Sequence, residues 1–201
     1  MKNDSKPLFV AIGASGPERL KDIFNLLGQW PENIAVVVMV VLHRASDEPS
    51  YLREMLEKKS RIPIVIAKEG QNLEAGICYI GEPAELLTLA EDDRVHLVSG
   101  SGNRLRNRTV DELFVSVASH AGRRAIGIVL SGALDDGSRG LAAIHRAGGL
   151  TMVLDPARKS QGMQKNAINF DGPISLVGTV AEITAVVAQA ALYSMRPSAF
   201  S

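Results

Sequence analysis

Residues 34–42 read IAVVVMVVL, an apolar run rich in β-branched valine with no polar residue to break it. A strand with one wet face would alternate polar and apolar residues, and a membrane-spanning helix needs about 18 or more consecutive apolar residues. The run fits neither pattern. It predicts a strand buried on both faces, which requires helices packed above and below a mostly parallel sheet. At 201 residues the chain is long enough for that architecture, and a domain of this size buries about 70% of the surface its unfolded form exposes.

The rest of the chain keeps the same rhythm. Strand-like segments at 8–14, 35–42 and 63–67 alternate with helix-prone segments at 17–29 and 49–59. The middle departs from it: GICYIGE, LLTLAEDD and RVHLVSG are short, turn-bounded pieces with no helical segment between them, and they predict an antiparallel hairpin or meander at one edge. Alternation then resumes with helices near 110–121, 137–147, 162–169 and 180–194, separated by strands in AIGIVLSG, LTMVLD and 174–177. The expected fold class is α/β: a doubly wound, mostly parallel sheet with helices on both faces and an antiparallel hairpin at one edge, forming a single domain over 1–201. There is no internal repeat, low-complexity tract or long linker.

Charge and cysteine content narrow the partners. Lys plus Arg and Asp plus Glu stand at 22 each, so no overall field favours nucleic acid or an anionic membrane. Cys78 is the single cysteine; it suits a reducing cytosol and a packing role, and the expected location is cytoplasmic. MKNDSKP lacks the apolar segment of a secretory signal, and no apolar run is long enough to insert directly into a membrane. His43, His96, His120 and His145 are dispersed without ligand spacing, so neither a metal nor another cofactor is expected.

The chemistry is sought where strands end. FVAIGASGPERL, residues 9–20, runs from a strand through a small-residue turn into a helix, which puts Ser15 on the C-terminal rim of the sheet, where open α/β proteins place their sites. A dinucleotide fingerprint would need glycine where Arg19 stands and an acidic residue where the second strand ends in His43; a phosphate loop would need Gly-Lys-Ser/Thr. Nucleotide binding is therefore disfavoured. As a nucleophile, Ser15 needs a base and an orienting acid. His43 closes VVVMVVLH, and Asp135 and Asp136 follow the later strand IGIVLSGALDDG, so adjacent parallel strands would bring all three types to one rim. Each has a plainer role beside it: Ser15 as a turn residue, His43 as a half-exposed strand end, and Asp135 or Asp136 as the N-cap of the helix beginning near Gly137.

AIGAS, VVLH, CYIGEP, TVDELFVSVA, GIVLSGALDDGSRGLAAIHRAGGLTMVLD and QGM occur in that order along nearly the whole chain. Together they resemble the catalytic domain of the CheB family, protein-glutamate methylesterases of bacterial chemotaxis that hydrolyse glutamyl methyl esters on chemoreceptors and often deamidate receptor glutamines. The resemblance implies Ser15 as nucleophile, His43 as general base, Asp136 as the acid orienting the imidazole, the backbone N–H of Ala133 as an oxyanion donor, and Met163 as a substrate-groove wall or else a core methionine. Asp135 stands where the family usually has Asn and is left as a turn or capping residue. The implied partner is a methyl-accepting chemoreceptor or a similar helical signalling protein.

Departures accompany the likeness. Gly16-Pro17 replaces the family's usual Thr-Gly, no histidine follows YIGEP, and Gln164 stands where the family generally has Pro. These leave room for a catalytically weak module that docks a signalling partner. Many members carry an N-terminal receiver domain that covers the site, whereas about eight residues precede the first strand here; a complete chain of this sequence is expected to lack that gate.

Overall fold

The protein is described from a computed structural model over residues 6–16, 20–43, 51–82, 85–99, 108–132, 135–156, 162–170 and 172–194; the side chain of His43 is outside the described part. Its centre is the pair β1 (Leu8–Ser15) and β2 (Val36–His43). Val36 to Val41 are buried without alternation, as the apolar run requires. Even-numbered valines join one core cluster and Val37, Met39 and Val41 join the other, so the period of two sends neighbouring side chains to opposite faces.

Among the described residues, seven parallel strands form the main sheet, in the order β3-β4-β2-β1-β7-β8-β9, where β3 is Ile64–Ile66, β4 Cys78–Ile80, β7 Ala125–Val129, β8 Leu150–Leu154 and β9 Leu176–Gly178. The cluster on one face includes residues of α1 (Leu20–Gly28), α2 (Leu52–Glu57) and α6 (Val180–Ser194). The other face carries α3 (Thr109–Ala121), α4 (Ser138–Arg146) and α5 (Met163–Asn169). The doubly wound reading of the sequence is the fold observed.

Two short segments refine it. The antiparallel hairpin consists of β5 (Glu85–Leu89) and β6 (Val95–Ser99), which form a separate two-stranded sheet. It is tied to α3 where the Leu89 N–H donates to Ser116 Oγ at 3.0 Å. GICYIGE differs from its expected place in that excursion: β4 enters the main sheet parallel to both β2 and β3. The crossover from β3 has no helix. Its backbone is held by the hairpin instead, with the Gly70 N–H donating to the Val95 carbonyl and the Val95 N–H to the Gln71 carbonyl.

From β1 the chain turns to α1 on one face, and from β7 it turns to α4 on the other. The rim between these neighbouring strands is therefore a switch point. Gly13 lets the head of α3 sit directly over it, because a Cβ there would lie 2.1 Å from Val110 Cγ1. Val110 is β-branched and fully buried, with little freedom to give way. Gly13→Ala is expected to destabilise the protein by about 1–3 kcal/mol through overpacking, lowering Tm by roughly 2–4 °C per kcal/mol. Adding Val110→Ala should return part of that loss, and a pair of thermal melts checks both.

Candidate active site

Ser15 ends β1, half-buried, and faces His43 directly across the ladder, the two Cα atoms being partners in the parallel register. On its other side the Ser15 N–H donates to the Ser131 carbonyl at 3.2 Å, and the Leu130 N–H donates to the Gly13 carbonyl at 2.9 Å. Ser131 is itself fixed from the opposite face of the sheet, its hydroxyl donating to the Asp22 carboxylate on α1. The backbone of Ser15 thus lies between the end of β2 and the turn that follows β7.

Gly132 closes that turn over Ser15. A Cβ on Gly132 would lie 2.8 Å from Ser15 Cβ and 2.1 Å from Met163 Sδ, so only glycine fits between them. The Met163 N–H donates to the Gly132 carbonyl at 3.0 Å. Met163 is fully buried in the core beneath α5, and it reaches the neighbourhood of Ser15 by pressing on Gly132. Of its two expected roles, the packing one is what these contacts describe. Gln164 is also buried and donates from Nε2 to the Leu154 carbonyl at 3.2 Å, securing the head of α5 to the end of β8. Ala133 and Pro17 lie outside the described residues, as does Gln161 of the QGM motif.

Asp136 is 2% exposed, and its carboxylate rests on the head of α3. Oδ1 accepts the Asp111 N–H at 2.9 Å and Oδ2 accepts the Val110 N–H at 3.0 Å. The Thr109 hydroxyl stands 3.5 Å from Oδ2. These amides are among those that a helix leaves unsatisfied at its start. The expectation that Asp136 could cap the helix beginning near Gly137 is corrected here, because it caps α3. The head of α4 is served by Asp111, whose Oδ1 accepts Gly137 N–H at 3.0 Å and Gly140 N–H at 2.8 Å. Asp135 is exposed; its carbonyl accepts the Ser138 N–H and its carboxylate lies 3.9 Å from Arg108. It is a turn residue.

Burial pushes the Asp136 carboxyl up to about 6, and the neighbouring Asp111 charge adds to the rise; the Val110 and Asp111 amides and the Arg108 guanidinium act against it. Asp111 was not singled out by sequence reasoning. Its only signal there was an acidic residue in the first turn of a helix, ordinarily a solvent-facing partner of the dipole.

The remaining candidates fall elsewhere. His120 and His145 are exposed on helices, and His96 pairs with Glu69 at 3.1 Å on the hairpin. Cys78 is buried in the core, where desolvation pushes its thiol up. Among the described residues, no group of three or more His, Cys, Asp and Glu side chains could hold a metal ion, and no helix is long and apolar enough to cross a membrane.

A family model described as CheB methylesterase matches residues 9–187. The chain belongs to the CheB methylesterase family. A protein named protein-glutamate methylesterase/protein-glutamine glutaminase 3, from Hahella chejuensis, is 32% identical over 76% of this chain and 43% of its own length. A protein-glutamate methylesterase/protein-glutamine glutaminase from Salmonella typhimurium is 30% identical over 86% of this chain and 50% of its own. The chain spans about half the length of the curated relatives it matches. The crystal structure of the Thermotoga maritima CheB methylesterase catalytic domain superposes with a TM-score of 0.80 at 22% identity, covering 92% of this chain and 99% of that one. That likeness shows the fold.

In this CheB chain, Asp136 binds a proton between pH ~4 and 6 that an unfolded Asp has already released. Its contribution to stability therefore falls as pH rises through that window. The Asp136 carboxyl ¹³C resonance is expected to titrate with a midpoint near 6; a midpoint at the ordinary value, about 3.9, would contradict the burial argument.

Proposed function

We propose that the chain is a serine methylesterase that hydrolyses glutamyl methyl esters on a methyl-accepting chemoreceptor or a similar helical signalling protein in the cytoplasm. The observation that carries this reading is the register that pairs Ser15 with His43 on adjacent parallel strands, with the turn bearing Asp136 beginning on the strand at the other side of Ser15. Membership of the CheB family supports the substrate class.

In this reading His43 takes the Ser15 proton as Oγ attacks the ester carbonyl, and Asp136 stabilises the imidazolium that forms. The carbonyl oxygen carries the negative charge, with the Ala133 N–H as a donor to it. The bond to the methoxy oxygen then breaks and His43 returns the proton, so methanol leaves and an acyl-serine ester remains. Water attacks that ester by the same route and releases glutamate. The same steps on a glutamine side chain would release ammonia, the activity that the relatives' names join to methylesterase. Met163 bears on the reaction through Gly132, by holding the turn against Ser15.

Base assistance is worth about 10²–10⁴ in rate. Ser15→Ala is expected to abolish methanol release from a methylated chemoreceptor preparation while leaving the fold unchanged by circular dichroism. His43→Ala and Asp136→Asn should each slow release by roughly the same factor of 10²–10⁴. Undiminished release from Ser15→Ala would remove the nucleophile. Failure of the unaltered protein on a preparation that an authentic methylesterase can process would favour a docking module.

A further inference from the structure

Two buried carboxylates face each other across the heads of α3 and α4, and each satisfies the other's element. Asp136, in the turn before α4, accepts the Val110 and Asp111 N–H groups of α3. Asp111, on α3, accepts the Gly137 and Gly140 N–H groups at the start of α4. Asp111 is 4% exposed, and its second oxygen meets Arg108 Nη1 at 3.1 Å. We propose that Asp111 is a positioning residue for the reaction: its carboxylate clamps the turn that presents Asp136, and its amide aims the Asp136 carboxylate. The proposal rests on the assignment of Asp136 to the serine, histidine and aspartate set.

The geometry gives Asp111 more than a helix cap. Gly137 adjoins Asp136 and takes a left-handed conformation, φ 95°, so the Asp111 bond to its N–H fixes the residue that turns the chain from Asp136 into α4. The Asp111 amide is in turn the donor to Asp136 Oδ1. Moving Asp111 therefore moves both the backbone on which Asp136 stands and one of the donors that aim its carboxylate. The charged groups around Asp136 among the described residues are Asp111 and Arg108 at the head of α3 and Asp135 on its own turn. On the sheet side, β1 and β2 end in Ser15 and His43.

Two substitutions separate the clamp from the charge. Asp111→Asn keeps a side-chain oxygen for Gly137 and Gly140, removes a negative charge beside Asp136 and releases Arg108 from its ion pair. Both electrostatic changes favour ionised Asp136, so its midpoint should fall. Asp111→Ala leaves two buried N–H groups without an acceptor, a cost that relaxes the turn.

The experiment pairs ¹³C titration of the Asp136 carboxyl with kcat and KM for methanol release at pH 8, in the full chain and both variants. For Asp111→Asn we expect kcat at pH 8 within about threefold of the unaltered protein and an Asp136 midpoint displaced to lower pH. For Asp111→Ala we expect kcat to fall about tenfold or more with KM little changed. A residue that served stability alone would lower the melting temperature and leave kcat of the folded Asp111→Ala where it was.

An Asp136 midpoint that does not move in Asp111→Asn overturns the proposal, whatever the fate of Asp111→Ala, including failure to fold. Undiminished kcat in a folded Asp111→Ala overturns the clamp. A midpoint that moves in Asp111→Asn, together with an undiminished kcat in Asp136→Asn, supports the coupling of the two carboxylates and counts instead against Asp136 in the catalytic step.

Discussion

Because β1 is hydrogen-bonded to β2 on one side and to β7 on the other, a slip of one residue in either ladder would turn every side chain of that strand to the opposite face. Both faces are apolar, so burial alone would tolerate such a slip better than in a one-sided sheet. The constraint comes from the strand ends and the close contacts. Gly13 has to lie beneath Val110, and Ser15 N–H has to meet the carbonyl of Ser131. In the observed register both hold, and Ser15 then stands opposite His43.

The cost of this arrangement is two carboxylates out of water, and the helix heads offset it. An ionised carboxylate accepting two backbone N–H bonds satisfies donors that would otherwise be orphaned, with the helix dipole adding to the attraction. Since Asp136 serves α3 and Asp111 serves α4, neither helix can shift without uncovering donors on the other. Packing supports the same contact: Gly140 leaves room for Phe114, whose Cβ would lie 2.4 Å from a Cβ at that position. Compensation is incomplete at Asp136, where desolvation outweighs the amide bonds and the carboxyl is raised to about 6.

Much of this was legible in the sequence wherever a run was long or a residue closed a strand. IAVVVMVVL could only be a strand buried on both faces, and VVLH and AIGAS carried His43 and Ser15 to one rim because parallel strands end together. What escaped were features that depend on meetings distant in sequence. β4 spans only Cys78–Ile80, too short for periodicity to tell a parallel strand from a hairpin arm, and its connection to β3 breaks the strand-helix alternation that sequence reading relies on. Asp136 looked like a cap for the helix that follows it, since local capping is the usual arrangement. Its actual partner is the head of a helix 25 residues earlier, and nothing in the spacing of DELF and LDDG says so.

The order of the candidate residues along the chain also follows from topology. β1 lies in the middle of the sheet; the chain lays β2 against one side of it and, after β3 and β4, crosses back to lay β7 against the other. A nucleophile on the first strand, a base on its first neighbour and an acid after its second neighbour must therefore appear as serine, histidine, aspartate. Known hydrolases show other orders because their sheets are wound differently around the same three roles. Three separate strand ends also mean that no local segment can assemble the site, so the rim forms only when β7 has docked against β1. That pairing brings the Ser131 carbonyl to Ser15 and the turn bearing Asp136 to the head of α3, which joins the two halves of the sheet at the candidate site.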